Sequence, residues 1–391
     1  MEQRTVLVSG AGVAGPTLAY WLAGNGFRVT VAERAAGQRS SGNPVDVRGP
    51  AVDVAERMGV MPGLREAATS VSAIAFVDAS GRRIGRLRTA RPGSGEVEVA
   101  RADLAAVLYE AARDRAEFAF GDCVTALTQD AGGVDVSFAS GAARRFDLVI
   151  GADGLHSAVR RLVFGPESGF TRHLGLYVAT LPLGRTADDP GTVVMYNTPG
   201  RSVSVHPANG TAMAAFIFRS PAIPGLDVHD TAAGREIVRK AYEDGGRAGG
   251  QADGWAGGWE LPALLDHLAA ADDLYFDSVS QVRLPAWSRG RVVLAGDAAS
   301  CLSLFGGGSS LAIAGAATLA QALADAPGDH AAGFGAYERR HRARVRPAQR
   351  GRFLAGALLV PGTRATLAVR DAAVRLLGAA YAEEPSSVFS A

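Results

Sequence analysis

Three observations predict an α/β fold made of a Rossmann-type nucleotide-binding domain, an inserted strand-rich domain and C-terminal helices. A short apolar strand runs straight into Gly10-Ala11-Gly12-Val13-Ala14-Gly15 and then into a helical pattern, a βαβ opening. Between about Gly165 and Val282 the helix–strand alternation is lost and strand-like segments dominate. Near Arg291 a buried strand returns, followed by a glycine- and serine-rich loop and another helical pattern.

Each element has a local reason. Thr5 to Ser9 reads as a buried strand, Ala14 to Asn25 as a helix ended by Gly26, and Arg28 to Ala32 as the second strand. Gly49 to Ala68 is helical, whereas Val71 to Leu87 has the alternation and the Ser80-Gly81 turn of a hairpin. A short strand after Glu96 leads into a helix from about Arg101 to Arg113. Val134, Val136 and Phe138 alternate with Asp135 and Ser137, turn at Ser140-Gly141 and continue as Phe146 to Ile150, reading as antiparallel strands returning to the nucleotide-binding sheet. Turns at Asn197 to Gly200 and Asn209-Gly210 divide the strand-rich region. After the strand Arg291 to Ala295 comes a helix from about Ser309 to Asp325. The expected domains are a discontinuous nucleotide-binding unit (1–70, 96–165 and 283–345), a substrate unit (71–95 and 166–282) and a C-terminal helical segment (346–391). The tail from Ala382 is expected to fray.

Composition narrows the class. At 391 residues the chain exceeds one ordinary core, and 48% hydrophobic with 20% charged residues suits a soluble enzyme. A net charge of +1 gives no standing attraction to nucleic acid or acidic membranes. Arg339, Arg340, Arg342, Arg344 and Arg346 form one basic run, read as a solvated helix face ending near Pro347. Cys123 and Cys301 match neither paired-thiol nor metal spacing, so no metal is expected. With no signal-peptide pattern and no apolar run of spanning length, a cytoplasmic monomer or homodimer without membrane association is expected.

The glycines each have a mechanical job. Gly10 permits the tight turn, Gly12 lets the backbone approach a pyrophosphate, and Gly15 lets helix and strand pack closely. Glu33 closes the second strand 18 residues beyond Gly15, placed to accept from an adenosine ribose. This motif does not separate NAD from FAD.

Two later segments do. Gly151-Ala152-Asp153-Gly154-Leu155-His156-Ser157-Ala158-Val159-Arg160 resembles the GADGxxSxVR fingerprint of class A flavoprotein monooxygenases, the p-hydroxybenzoate hydroxylase type. Gly296-Asp297-Ala298-Ala299 resembles their second flavin motif, and the order holds from Gly10 through Arg101 to Asp297. The resemblance implies a p-hydroxybenzoate hydroxylase-like fold with FAD held by Gly10, Gly12, Val13, Ala14, Gly15, Glu33 and Arg34, then by Arg48, Arg101, Val124 and Asp153. It adds Asp297 on the ribityl chain and Gly307, Gly308, Ser309 and Ser310 at a helix start beside the flavin ring. Other readings stand beside these: a helix cap for Asp297, a surface side chain for Arg101, a structural ion pair for Arg48. The loop departs from the common pattern, with Ser300, Ser303 and Leu304 where relatives carry histidine and proline.

The resemblance also implies the reaction. NADPH or NADH reduces FAD, O2 adds at flavin C4a, and the hydroperoxide hydroxylates or epoxidises a small aromatic or polyene substrate of natural-product type. No protein nucleophile is required, so no catalytic residue is assigned. A dry pocket is needed, and its expected lining is Tyr177, Tyr196, His206, Phe216, Phe218 and Arg219. Flavin halogenases need a lysine soon after the nucleotide motif, but Lys240 is the single lysine. Related disulfide reductases need a close cysteine pair. An FAD-binding protein with a non-redox, cyclase-like or ligand-binding role remains the alternative.

Overall fold

The computed structural model describes residues 3–37, 44–89, 94–208, 210–243, 258–304 and 307–382. Asn209 and Trp255 lie outside this set. The opening unit is β1 (Thr5–Ser9), α1 (Ala14–Gly24) and β2 (Arg28–Glu33). Then come β3 (Val45–Val47), α2 (Pro50–Arg57), α3 (Met61–Glu66), the pair β4 (Ala73–Val77) and β5 (Arg83–Arg88), β6 (Val97–Val99) and α4 (Arg101–Ala112). The chain continues through β7 (Glu117–Phe120), β8 (Val124–Gln129), β9 (Val134–Phe138), β10 (Ala143–Phe146), β11 (Leu148–Gly151) and α5 (Ala158–Phe164). The strand-rich region holds β12 (Thr171–Pro182), β13 (Thr192–Thr198), β14 (Arg201–His206) and β15 (Met213–Arg219), followed by α6 (Thr231–Glu243), α7 (Leu261–Ala270) and β16 (Tyr275–Val282). Last are β17 (Ser288–Arg289), β18 (Val292–Leu294), α8 (Asp297–Ser300), α9 (Gly308–Ala324), α10 (His330–Leu359) and α11 (Arg364–Ala382).

A six-stranded sheet in the order β17-β18-β11-β1-β2-β7 carries the nucleotide-binding motifs. Its five strands from β18 to β7 are parallel, and β1 sits between β2 and β11, with Val8 opposite both Val31 and Ile150. Parallel strands covered on both faces need near-continuous apolar residues, which explains the buried runs Val6–Val8, Leu148–Ile150 and Val292–Leu294. The C-terminal ends of β1 and β11 therefore put Gly10 and Ala152 side by side: a Cβ on Gly10 would lie 2.6 Å from the Ala152 carbonyl oxygen. β8, β9 and β10 form a separate antiparallel meander, so the expectation that they rejoin the main sheet holds only for β11, which pairs in parallel.

The second large sheet, β16-β12-β15-β14-β13-β4-β5, takes its edge hairpin from residues far earlier in the chain. One face is covered by α6 and α7, two helices that the loss of alternation had hidden. The other carries Leu176, Val178, Ile217 and Val279 against Val360, and Phe76 and Met195 against Val374 of α11. α10 runs unbroken through Pro347 to Leu359, correcting the expected stop near that proline. No helix among the described residues is long and apolar enough to cross a membrane.

Candidate flavin site

The three motif glycines occupy different surroundings. A Cβ on Gly15 would fall 1.9 Å from the Gly10 carbonyl oxygen, so helix and strand meet as backbone there. Gly10 has φ +104°. A Cβ on Gly12 meets no atom of the described residues within 4 Å, so open space lies beyond it. α1 begins without a side-chain cap, leaving its first N–H groups free to face that space. Val13 and Ala14 are buried beside them. Glu33 accepts from the Ala11 N–H at 2.8 Å and the Ala35 N–H at 2.9 Å, bracing the loop at the edge of the same space. Exposed Arg34 reaches His229, 3.1 Å away. Val124 is buried at the start of β8, opposite Phe138.

The second motif is a set of struts. Asp153 accepts from Ser157 Oγ at 2.5 Å and from the Val159 N–H at 3.0 Å, so it braces the first turn of α5 behind the N-cap Ser157. Burial raises its pKa despite these bonds. Arg160, fully buried, donates to the Ala298 carbonyl at 3.1 Å and the Leu155 carbonyl at 2.5 Å, tying this motif to α8. His156 bridges two units: Nδ1 lies 3.0 Å from Glu167 and Nε2 3.1 Å from Asp277 of β16. Burial lowers its pKa, but the bonds to Asp277 and Glu167 outweigh that and raise it to about 9.

Asp297 is the first residue of α8, after Gly296 at φ +57°, and among the described residues its carboxylate takes no hydrogen bond from the backbone. Its charge sits in the first turn of α8, and its oxygens stand at the strand end as acceptors. A Cβ on Gly308 would lie 3.6 Å from Asp297 Oδ1, so α9 starts beside it. Gly307, at φ +60°, is the N-cap of α9 and supplies no side-chain cap. Ser309 is half-buried at this start. Ser310 Oγ donates to the Asp46 carbonyl at 2.7 Å and accepts from the Arg48 N–H at 3.0 Å, clamping β3 to α9. The Arg48 guanidinium pairs with Asp46 at 3.2 Å, so the structural ion pair is present, and it also approaches Gly307. Arg101 is exposed at the first turn of α4, and its charge acts on the Tyr275 hydroxyl.

The expected pocket lining requires correction. Tyr177, Tyr196, Phe216 and Phe218 belong to the core beneath α6 and α7, together with Val238, Tyr242 and Leu264. Tyr177 stacks between Phe218 and Phe276, at centroid distances of 5.8 Å and 5.6 Å, and its hydroxyl accepts from the Ile223 N–H. Side chains alternate across a strand, so these rings share the face turned from the flavin motifs. His206 and Arg219 point to the opposite face. His206 sits 2.9 Å from Ser204 Oγ, and burial pushes its pKa down to about 4. Arg219, however, donates to the Val360 carbonyl at 2.9 Å and is a strut to the end of α10.

On the His206 face, the pairing registers align Tyr275, Thr180, Ala215, Ser204, Met195 and Phe76 in one row across six strands. Tyr275 stands at the flavin end of that row: its pKa is raised by burial and by Asp277, Cys301 and Asp297, and lowered by Arg101. The loop after α8 runs along β16, with bonds from the Val282 N–H to the Cys301 carbonyl and from the Ser303 N–H to the Ser280 carbonyl, both 3.0 Å. Thr180 Oγ1 is buried without a hydrogen-bond partner among the described residues. Sequence reasoning missed Tyr275, Thr180 and Ser204, although the alternation of β16 marked one face.

A dinucleotide cradle on a parallel sheet, a second acceptor at Asp297 and an uncapped helix start beside it define a flavin-binding protein. Residues 3–244 match the family described as FAD binding domain. The chain is 40% identical over 344 residues to an uncharacterized protein of Mycobacterium tuberculosis, covering 85% of this chain and 88% of that one. It is 33% identical over 338 residues to a flavin-dependent monooxygenase of Legionella longbeachae, covering 85% and 83%. The crystal structure of tetracycline destructase Tet(51) superposes with a TM-score of 0.81 at 30% identity over 100% of both chains. The chain belongs to the class A flavin-dependent monooxygenases and is an FAD enzyme.

Proposed function

We propose that the enzyme uses NADPH or NADH to reduce its FAD and inserts one atom of O2 into a small aromatic or polyene substrate by hydroxylation or epoxidation. The observation that carries this reading is the uncapped start of α9 beside Asp297. A helix N-terminus stabilises negative charge, which favours a reduced flavin ring at that edge. Bound there, FAD supplies oxygen transfer through C4a, while the protein binds, orients and excludes water. On this reading Gly10, Gly12, Val13, Ala14, Gly15, Glu33 and Arg34 hold the ADP part. Arg101 and Asp297 hold the phosphate and ribityl region, and Arg48, Gly307, Gly308, Ser309 and Ser310 flank the ring. Asp153 and Val124 act through the scaffold.

Substrate lies against the Tyr275, Thr180, Ala215 and Ser204 row, with His206 at its far side. Neutral at working pH, His206 can hydrogen-bond a phenol or enol. The similarity to tetracycline destructases, proteins of 30–31% identity, supports a polycyclic substrate of that size. Rapid-mixing reduction by NADPH and NADH, with and without tetracycline as a probe, followed by turnover under labelled O2, tests the reading. The expected result is coenzyme oxidation accelerated by the right compound, with one labelled atom in the product. Turnover without O2, with no label and no coenzyme consumed, sinks it in favour of the non-redox role.

A further inference from the structure

The arginine run of α10 divides by partner. Arg340 meets Asp325 at 3.2 Å, Arg342 pairs with Glu338 at 2.5 Å and donates to the Leu284 carbonyl, and Arg344 donates to Thr318 Oγ1 at 3.0 Å. Arg346, Arg350 and Arg283 differ: none of their guanidinium groups bonds or ion-pairs with another described residue. Positions 342, 346 and 350 lie four apart on one stripe of α10, and Arg283 follows β16. All four arginines line one cavity of about 330 Å³, with no acidic residue among the described residues of its wall. The Glu338 carboxylate nearby is already engaged by Arg342 and by the Trp287 N–H. The floor is fixed: Trp287 is buried under the Arg342 guanidinium, 4.6 Å from its ring centre. Buried Gln349 donates to the carbonyls of Val282 and Ser300, at 3.1 Å and 3.4 Å. Ser300 ends α8, one helical turn from Asp297.

Three guanidinium groups without a counter-charge among the described residues, beside Arg342 with Glu338, leave the concavity net positive, and a multivalent oxyanion complements that charge. Guanidinium forks match phosphate oxygens two at a time. We propose that this cavity binds a phosphate-bearing anion. Two sources share that chemistry: free diphosphate, and the adenosine 2′-phosphate of NADPH, the latter resting on the reductant reading above.

Calorimetric titration of the FAD-loaded enzyme at low ionic strength, with inorganic diphosphate and with adenosine 2′,5′-bisphosphate, tests the proposal. Saturable binding is expected, weakened about tenfold or more in the Arg346→Gln/Arg350→Gln double variant and by added salt. Arg339→Gln, on the same helix outside the cavity, should bind like the parent. Unchanged FAD content and melting temperature in the double variant separate lost binding from lost folding. No saturable binding by the parent enzyme, or equal binding by the double variant, overturns the proposal. A raised KM for NADPH alone, with NADH unaffected, identifies the coenzyme phosphate as the occupant. Unchanged NADPH kinetics with weakened diphosphate binding identify the free anion. A parent enzyme that oxidises neither coenzyme sinks the reductant reading and leaves the diphosphate result standing on its own.

Discussion

Gly12 and Gly15 stand three residues apart and should fail in opposite ways. A valine at Gly12 starts with no atom of the described residues within 4 Å of its Cβ, so the apoprotein should fold with little change in melting temperature. The same side chain stands where a pyrophosphate approaches, so Gly12→Val should purify colourless and take up no added FAD. An alanine at Gly15 collides with the Gly10 carbonyl, which neither strand nor helix can move, and soluble yield should fall. Asp297→Ala removes an acceptor that holds no backbone N–H of the described residues, so FAD should dissociate more readily while apoprotein stability holds within about 0.5 kcal/mol. Fluorescence of released flavin and a melting curve on the apoprotein check both; equal loss of flavin affinity and of apoprotein stability would return Asp297 to a structural role. The Cys301 thiol is pushed far up in pKa by burial and by Asp297, so alkylating reagents should leave it unmodified in the native enzyme.

Among the elements, α9 depends on being made of small residues. It runs as Gly308-Ser309-Ser310-Leu311-Ala312-Ile313-Ala314-Gly315-Ala316-Ala317, packed against α1, α2 and α10 at once. Gly315 is the tightest point: a Cβ there would lie 2.6 Å from Nε2 of His341. That imidazole cannot retreat, since it is buried against Tyr337 and Trp287, with ring centres 5.8 Å and 5.9 Å away. Alanine is the better helix former by about 1 kcal/mol, but overpacking costs about 1–3 kcal/mol, so Gly315→Ala should lower the melting temperature. Adding His341→Ala should recover much of the loss, whereas a more stable single variant would show that the ring moves aside. The same crowding lets α10 pass through Pro347, because neighbouring elements hold the helix on both sides of the lost hydrogen bond.

At the scale of the whole molecule, histidines set both ends of the stability–pH curve. His156 joins the nucleotide-binding part to β16 through Asp277, and its folded pKa of about 9 lies above the unfolded value near 6.5. Its contribution is therefore complete below pH 6.5 and lost as pH rises through about 9. His341 and His206 behave oppositely. Burial holds both near 4, aided for His341 by Arg344, so their contribution is present above pH 6.5 and lost as pH falls through about 4. Denaturant titrations from pH 4 to pH 10 should show stability falling at both ends. His156→Gln should flatten the alkaline limb alone, and an unchanged alkaline limb would remove His156 from the account.

The FAD cradle was legible in the sequence because it is built from contiguous residues whose spacing repeats backbone mechanics: a turn at Gly10, an approach at Gly12, a close pack at Gly15, and Asp297 at a strand end. The sequence by itself thus determined the α/β class, the flavin and the order of the motifs, since strand period and glycine sterics act within a few residues. It did not determine which face of the inserted sheet meets the flavin. Phe216 and Phe218 share a face under either choice, and only the covering of that face by α6 and α7 turns Tyr275, Thr180 and Ser204 toward the flavin motifs. The bridge from His156 to Asp277, 121 residues apart, and the gathering of Arg283 with Arg346 and Arg350 are likewise tertiary. Neither has a local signal, because the hydrophobic burial that brings those segments together is non-directional and records no partner in the residues themselves.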